Sequence, residues 1–390
     1  MPAVIAGYAR TPFAKFTGKL AGLPATELGA HALRSALQRA GVDPSEVDRV
    51  VAGQVLQAAA GQNPARQTAV AAGIPLTVPA ITLNAVCLSG LLAVAEAAHL
   101  IERGDAEIVA VVGQESMSLA PHAAAMRAGA KYGAVEFVDT LERDGLSDAF
   151  ERVSMGASTE SGNGELGLSR EEQDAWAATA HARASASADW LAGEIEPIEL
   201  TSRAGTERFA ADDGVRADTT AETLARLRPA FSKEGTITAG NSSQITDGAA
   251  ALIVMSARAA EARGIAGVAE ILATAFVAGP DTSLHAQPAA AIEAATGRAG
   301  VAIPDLAQIE INEAFAAVAV HSTRRLGVDT SIVNPDGGAI ALGHPIGASG
   351  ARIVGTLARR LAELGTGALG AAGICGGGGQ GAAIILRAMG

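Results

Sequence analysis

The chain holds two cysteines, Cys87 and Cys375, and each stands where a thiol can do chemistry. Cys87 lies in Asn84-Ala85-Val86-Cys87-Leu88-Ser89-Gly90, between an apolar strand-like run and an apolar helical run. A thiol at a helix start meets free backbone N–H groups and the positive end of the helix dipole, which favour the thiolate. A thiolate is a strong nucleophile and forms thioesters. The small neighbours Ser89 and Gly90 leave room for a long acyl or thiol ligand. A buried core cysteine is the alternative on these residues alone.

Cys375 opens Cys375-Gly376-Gly377-Gly378-Gly379-Gln380-Gly381, at the end of an apolar strand. Glycine packs nothing and costs backbone entropy, so this run points to a need for bare backbone, such as an oxyanion-binding nest. A glycine hinge beside a core cysteine is the other reading. His344 sits in Gly343-His344-Pro345-Ile346-Gly347, just before a helical stretch, where a neutral imidazole can take a thiol proton. This run is neither a Walker A loop nor a Rossmann fingerprint. Asn312-Glu313-Ala314-Phe315 follows a strand, and Asn312 could hold a carbonyl oxygen or a water. Asn241 to Gly248 is a polar turn whose hydroxyls could meet a ligand amide, or simply solvent.

These residues need a rigid frame. Apolar runs at Val4–Gly7, Val47–Ala52, Val78–Leu83 and Glu107–Val112 read as strands. Between them, Ala25–Ala40, a stretch ending near Ala72, and Gly90–Arg103 carry helical periodicity. The same alternation resumes from Ala249, with helix Ser349–Leu364 feeding strand Ala368–Ile374 as Gly90–Arg103 feeds Glu107–Val112. The pattern is α/β, with helices covering a buried sheet, and it hints at an internal duplication. Residues 118–240 differ: more charge, fewer β runs, and a capping box at Ser169 and Glu172. They read as an inserted, mainly helical subdomain forming ligand walls.

Composition narrows the function. A chain of 390 residues, 49% hydrophobic and only 3% aromatic, builds its core from aliphatic side chains and alanine. A net charge of -12 argues against double-stranded nucleic acid and acidic membranes as partners. No run resembles a membrane span, since Leu88–Leu100 is broken by Glu96 and His99, and no secretory signal is evident. A cytoplasmic protein is the expectation. Two distant cysteines make a poor zinc signature, so no metal is expected.

Taken together, Asn63–Arg66, Asn84–Gly90, Gly113–Ser118, Met155-Gly156, Ala239–Gly248, Asn312–Phe315, Gly337–Arg352 and Cys375–Gly381 resemble the thiolase family in residues, order and spacing, over nearly the whole chain. The resemblance implies an α/β thiolase fold: duplicated βαβαβαββ halves in a five-layered α-β-α-β-α core with an inserted loop domain. It divides the chain into residues 1–118 plus 247–267, an inserted coenzyme-A-binding segment 119–246, and residues 268–390. It implies an acyl-CoA C-acyltransferase, condensing two acetyl-CoA to acetoacetyl-CoA or cleaving a 3-oxoacyl-CoA. Cys87 would carry the acyl group, His344 would activate it, and Cys375 would act as acid and base. Asn312 and His344 would serve one oxyanion hole, and the N–H groups of Cys87 and Gly377 the other. Ser243, Arg216, Leu146, Met155, Ala314 and Phe315 would line the coenzyme and acyl region. Coenzyme A is then substrate, with no tightly bound cofactor, and the partner is a second copy of the chain, in a homotetramer built as a dimer of dimers.

The chain departs from many short-chain members at Ser154, where they have histidine, at Gln244-Ile245-Thr246, and at Leu284, where they have methionine. None of these removes a catalytic group. Two other readings are a 3-oxoacyl carrier-protein synthase and a catalytically silent thiolase-like lipid-binding protein.

Overall fold

The computed structural model describes residues 1–203 and 205–389. Ala204, within the expected insertion, and Gly390, at the end of the expected C-terminal half, lie outside the described residues. The principal strands are β1 (Ala3–Arg10), β2 (Arg49–Gly53), β3 (Ala80–Leu83), β4 (Ile108–Glu115), β5 (Thr246–Ser256), β6 (Ala269–Ala278), β7 (Leu306–Ile311), β8 (Leu369–Gly376) and β9 (Gln380–Ala388). The helices that matter here are α1 (Ala25–Ala40), α2 (Pro64–Ala71), α3 (Ser89–Arg103), α4 (Met155–Asn163), α5 (Arg170–Ala186), α6 (Gln287–Ala299), α7 (Ala316–Leu326) and α8 (Ser349–Leu364).

The two halves repeat one topology. In the first, the strand order is β3-β2-β4-β5-β1, with β3, β2 and β4 parallel and the last two antiparallel. In the second it is β7-β8-β9-β6, with β7 and β8 parallel and the rest antiparallel. A parallel bridge from Ile309 to Val333 stands beside β7 where β3 stands beside β2. The halves join through Ala3–Ile5 of β1 against Ala269–Ile271 of β6, so the ladder is continuous. The duplication suggested by helix–strand order is therefore a duplication of topology.

Helices fill three layers around these sheets. α1 and α2 cover the outer face of the first half with Leu28, Leu33, Leu37 and Ala69. α6 and α7 cover the second half with Ile292, Ala295 and Ala319. Between the sheets lie α3 and α8, whose Leu91, Val94, Ile353 and Leu357 meet Val109 and Leu252 on one side and Ile374 and Ile384 on the other. A strand covered on both faces reads as a continuous apolar run, which is why all of β1, β4 and β5 is buried. The middle helices cross closely: a Cβ on Gly90 would stand 2.7 Å from the Ala351 nitrogen.

The insertion lies between β4 and β5. At the equivalent point of the second half, β8 turns straight into β9 through Gly377–Gly379. Gly378 and Gly379 have φ of 78° and 68°, the left-handed conformation a tight hairpin demands. The segment 119–246 is less helical than its composition suggests: Ile198–Ser202 pairs with Gly205–Phe209, and His122–Ala123 with Val138–Asp139. These strands are short and mostly exposed, so no buried apolar run marks them. After Asn312-Glu313-Ala314-Phe315, α7 starts only at Ala316, because Phe315 stays extended and pairs with Ser242.

Candidate active site

Cys87 sits two residues before α3, on a turn whose geometry is forced. Val86 has φ of 52°, an outlier for a β-branched residue. Such strain costs on the order of 1–3 kcal/mol and persists only when the surroundings over-determine it. Here they do. The Val86 N–H donates to Asn84 Oδ1 at 3.0 Å, and the Ser89 hydroxyl donates to the Val86 carbonyl at 2.6 Å and accepts from the Ala85 N–H at 2.9 Å. The thiol is half-buried. Burial pushes it up to about 12, against the pull of the backbone N–H groups of Cys87 itself and of Gly377.

Cys375 is buried at the end of β8, on the opposite side of the middle layer. Burial, and then the nearby Cys87, hold its thiol well above the usual range. It packs with Phe315, Ala314, Leu284, Leu168 and the half-buried Met155. A Cβ on Gly377 would stand 3.6 Å from both Met155 Sδ and Val86 Cγ1, so this glycine lies between the two thiols' surroundings. Leu146 packs with Ile346 at the edge of Cys87.

His344 is buried, and its Nδ1 lies 2.6 Å from the Ser349 hydroxyl at the first turn of α8. That hydroxyl donates its single proton to the Pro345 carbonyl at 3.1 Å. It therefore accepts from Nδ1–H, and the lone pair of the imidazole is left on Nε2. Nε2 is buried without a hydrogen-bond partner among the described residues, as is Asn312 Oδ1. The Asn312 amide nitrogen stands 3.5 Å from His344 Nδ1, which in this tautomer is a contact between two donors and not a hydrogen bond. Two adjacent unpaired polar atoms cost about 1–3 kcal/mol each, an expense expected where a ligand completes them. Burial, with Arg352 nearby, depresses His344 to about 3, so the ring is neutral and basic in form.

The remaining expected residues are placed as follows. The Ser243 N–H donates to the Ala314 carbonyl at 3.0 Å, which ties the polar turn to the strand end carrying Asn312. The next residue, Gln244, accepts from the His344 N–H at 3.1 Å and donates to the Gly214 carbonyl at 3.1 Å. Arg216 is exposed, two residues beyond Gly214, and its own N–H donates to His181 Nδ1 at 3.2 Å. The structure thus brings Cys87, Gly377, Cys375 and Met155 together, and His344 with Asn312. Arg216 stays at the surface. Sequence reasoning missed Ser349, whose only signal is its place five residues after the histidine. It also missed Phe231, which packs edge-on against Phe315 with ring centroids 6.1 Å apart and lies over Gly156.

No group of three or more His, Cys, Asp or Glu among the described residues is arranged to hold a metal ion. Residues 3–258 match the family model described as "Thiolase, N-terminal domain", and residues 265–388 match "Thiolase, C-terminal domain". The chain is 52% identical to a probable acetyl-CoA acetyltransferase of Mycolicibacterium smegmatis, covering 98% of this chain and 100% of that one. It is 47% identical to an acetyl-CoA acetyltransferase of Paracoccus denitrificans, covering 99% of each. The crystal structure of the Bacillus anthracis acetyl-CoA acetyltransferase superposes with a TM-score of 0.95 at 36% identity, over 99% of this chain and 98% of that one.

Proposed function

The chain belongs to the thiolase family, and on that premise we propose that it joins two acetyl-CoA molecules into acetoacetyl-CoA and free coenzyme A, and runs the same reaction backwards, through an acyl-enzyme on Cys87. It is an acyl-CoA C-acyltransferase, and coenzyme A thioesters are its substrates. The observations that support the site assignment are a thiol on a strained turn and an imidazole whose Nε2 is buried without a hydrogen-bond partner among the described residues.

Both groups rest neutral, so proton transfer must accompany attack. Cys87 gives its proton to His344 Nε2 as Sγ bonds to the acetyl carbon. The N–H groups of Cys87 and Gly377 take the oxyanion. The bond to the coenzyme sulfur breaks, and that sulfur leaves with the Cys375 proton. A second acetyl-CoA binds, and the Cys375 thiolate removes its α proton, restoring Cys375. The carbonyl of this second thioester, which carries the developing enolate charge, is held by His344 and by a water positioned on Asn312. The carbanion attacks the Cys87 thioester, and the departing Cys87 sulfur regains its proton from His344. Ser243, Arg216, Leu146, Met155, Ala314 and Phe315 hold the coenzyme and acyl chain, and residues 119–246 form the loop domain that supplies most of them. Residues 1–118 with 247–267, and 268–390, form the two halves. The close apolar wall around Cys375 favours a short acyl group.

A homotetramer, a dimer of dimers, belongs to this reading. It is supported by the open edge of β3, where Ile81 is 47% exposed beside Phe276 at 50%, and by the apolar Tyr132, Phe137 and Phe150 on the inserted segment. A cytoplasmic setting suits two thiols that must stay reduced. No helix among the described residues is long and apolar enough to cross a membrane. The test is incubation with acetoacetyl-CoA and coenzyme A, following loss of the enolate absorbance. Turnover that vanishes in Cys87→Ala supports the reading. No turnover at any acyl length, or full activity in that variant, ends it.

A further inference from the structure

Glu115, the last residue of β4, is fully buried and takes no part in the steps above. Its carboxylate accepts three backbone N–H groups: Val55 at 3.0 Å, Leu56 at 3.2 Å and Gly347 at 3.0 Å. Gly347 belongs to the loop that carries His344, and Val55 and Leu56 to the loop after β2, which borders the Cys87 turn. Gly347 is three residues beyond His344, and a Cβ there would stand 2.5 Å from the Gln114 carbonyl, so the loop can approach only as glycine. Val55 leads to the nucleophile: its carbonyl accepts from Asn84 Nδ2 at 3.3 Å, and Asn84 Oδ1 accepts from the N–H of the strained Val86. Val55, Leu56 and Ile346 also pack as one apolar cluster against Cys87.

Resting on the assignment of Cys87 and His344 above, we infer that Glu115 is a positioning residue whose ionised carboxylate sets the nucleophile turn and the histidine loop at their reacting distance. Among the described residues its carboxylate bonds to these two loops alone, so one side chain ties the loop that borders the Cys87 turn to the loop that carries His344. The charged form is what three convergent N–H donors select. A protonated carboxyl must aim a hydrogen at one of these donors, so the anchor loosens when it gains a proton. Burial, with Asp247 of β5 adding its charge, raises Glu115 to about 7, so this loosening falls within the working range. The titratable groups facing it are Asp247 of β5 and the Cys87 thiol. Gln54 and Gln114 beside it are uncharged and bond to each other.

The test is Glu115→Gln, with Glu115→Asp and Cys87→Ala alongside. Glu115→Gln is expected to lower kcat between about tenfold and a hundredfold with KM for acetoacetyl-CoA within about twofold. The acid limb of kcat near neutrality should disappear in Glu115→Gln and persist in Glu115→Asp. Alkylation of Cys87 by iodoacetamide should move to lower pH in Glu115→Gln, since an anion that disfavours the thiolate has gone. Faster thiol reaction with slower turnover marks lost positioning rather than a damaged fold. If Glu115→Gln keeps the kcat and pH profile of the parent while Cys87→Ala is dead, the inference falls and the nucleophile assignment stands. An active Cys87→Ala sinks the assignment beneath it. Should Glu115→Gln fail to fold, alkylation of the unaltered protein decides: a step near neutrality, below the thiol's own ionisation, supports the anchor, and a single rise above pH ~9 overturns it.

Discussion

Removing one hydroxyl, in Ser349→Ala, tests the proton logic of the site. Oγ holds His344 Nδ1 at 2.6 Å and spends its own proton on Pro345. When Nε2 takes the Cys87 proton the ring becomes a cation, and Nδ1–H donates a charge-assisted bond to Oγ. Such bonds are worth about 1.5–3 kcal/mol. The charge exists in the transition state and not in the resting enzyme, where His344 is neutral. The loss therefore falls on kcat, by roughly 10- to 150-fold at about 1.4 kcal/mol per decade. KM should hold within about twofold, because Ser349 is buried behind the ring. Stability should fall only by about 1 kcal/mol, for the neutral bond to Pro345. Acetoacetyl-CoA thiolysis gives kcat and KM separately, and urea denaturation gives the stability. A folded Ser349→Ala enzyme with kcat within twofold of the parent refutes the tautomer assignment.

Four other outcomes are expected. Cys375→Ser should still accept an acetyl group on Cys87, seen by mass spectrometry, yet fail to condense it, because the serine hydroxyl is far too weak a base; normal condensation would contradict the second thiol's role. Gly379→Ala should lower the melting temperature by several degrees, since its φ is 68° and a Cβ would overlap the Asp281 carbonyl, whereas Gly377→Ala, with open contacts of 3.6 Å, should melt within about 1 °C of the parent and lose activity. Ile81→Asp on the open edge of β3 should shift the protein to smaller species in light scattering, and an unchanged mass would argue that this edge is not an interface. His285 is buried and depressed to about 4, below its unfolded value near 6.5, so the unfolded chain binds more protons as pH falls and stability drops between about pH 6.5 and 4. His285→Gln should lose less over that window, by up to about 3 kcal/mol, in urea midpoints compared at pH 7.5 and 4.5.

The layered frame was legible because its signals are local. α1 and α8 were expected over the residues they occupy, since apolar spacing and a closing glycine mark both ends. The doubled topology was only hinted at, since strand order is long-range. β1 pairs with β5 more than 230 residues away, and no periodicity reports that. The antiparallel pair Ile198–Ser202 with Gly205–Phe209 escaped notice because it buries little: exposed Thr and Glu side chains give no alternation to read.

The site divides along the same line. Cys87, His344 and Cys375 stand out because reactive residue types sit among glycines, and glycine marks where backbone must come close. The groups that hold them do not stand out. Glu115 follows an apolar strand and reads as its polar end, Ser349 as a helix start, and Asn84 as a turn residue. Each acts through two or three hydrogen bonds, to residues as far away as Gly347 from Glu115. Residue type alone therefore singles out the atoms proposed to react, while the groups proposed to fix their separation are defined only by the fold. The glycine run after Cys375 makes the point within a single motif. Its abundance suggested an anion nest, yet Gly378 and Gly379 are spent on closing the β8–β9 hairpin. Only Gly377, with an N–H toward Cys87 and Met155 and Val86 at van der Waals distance from its α-carbon side, faces the chemistry. One residue of the run serves the site because the others have bent the chain to put it there.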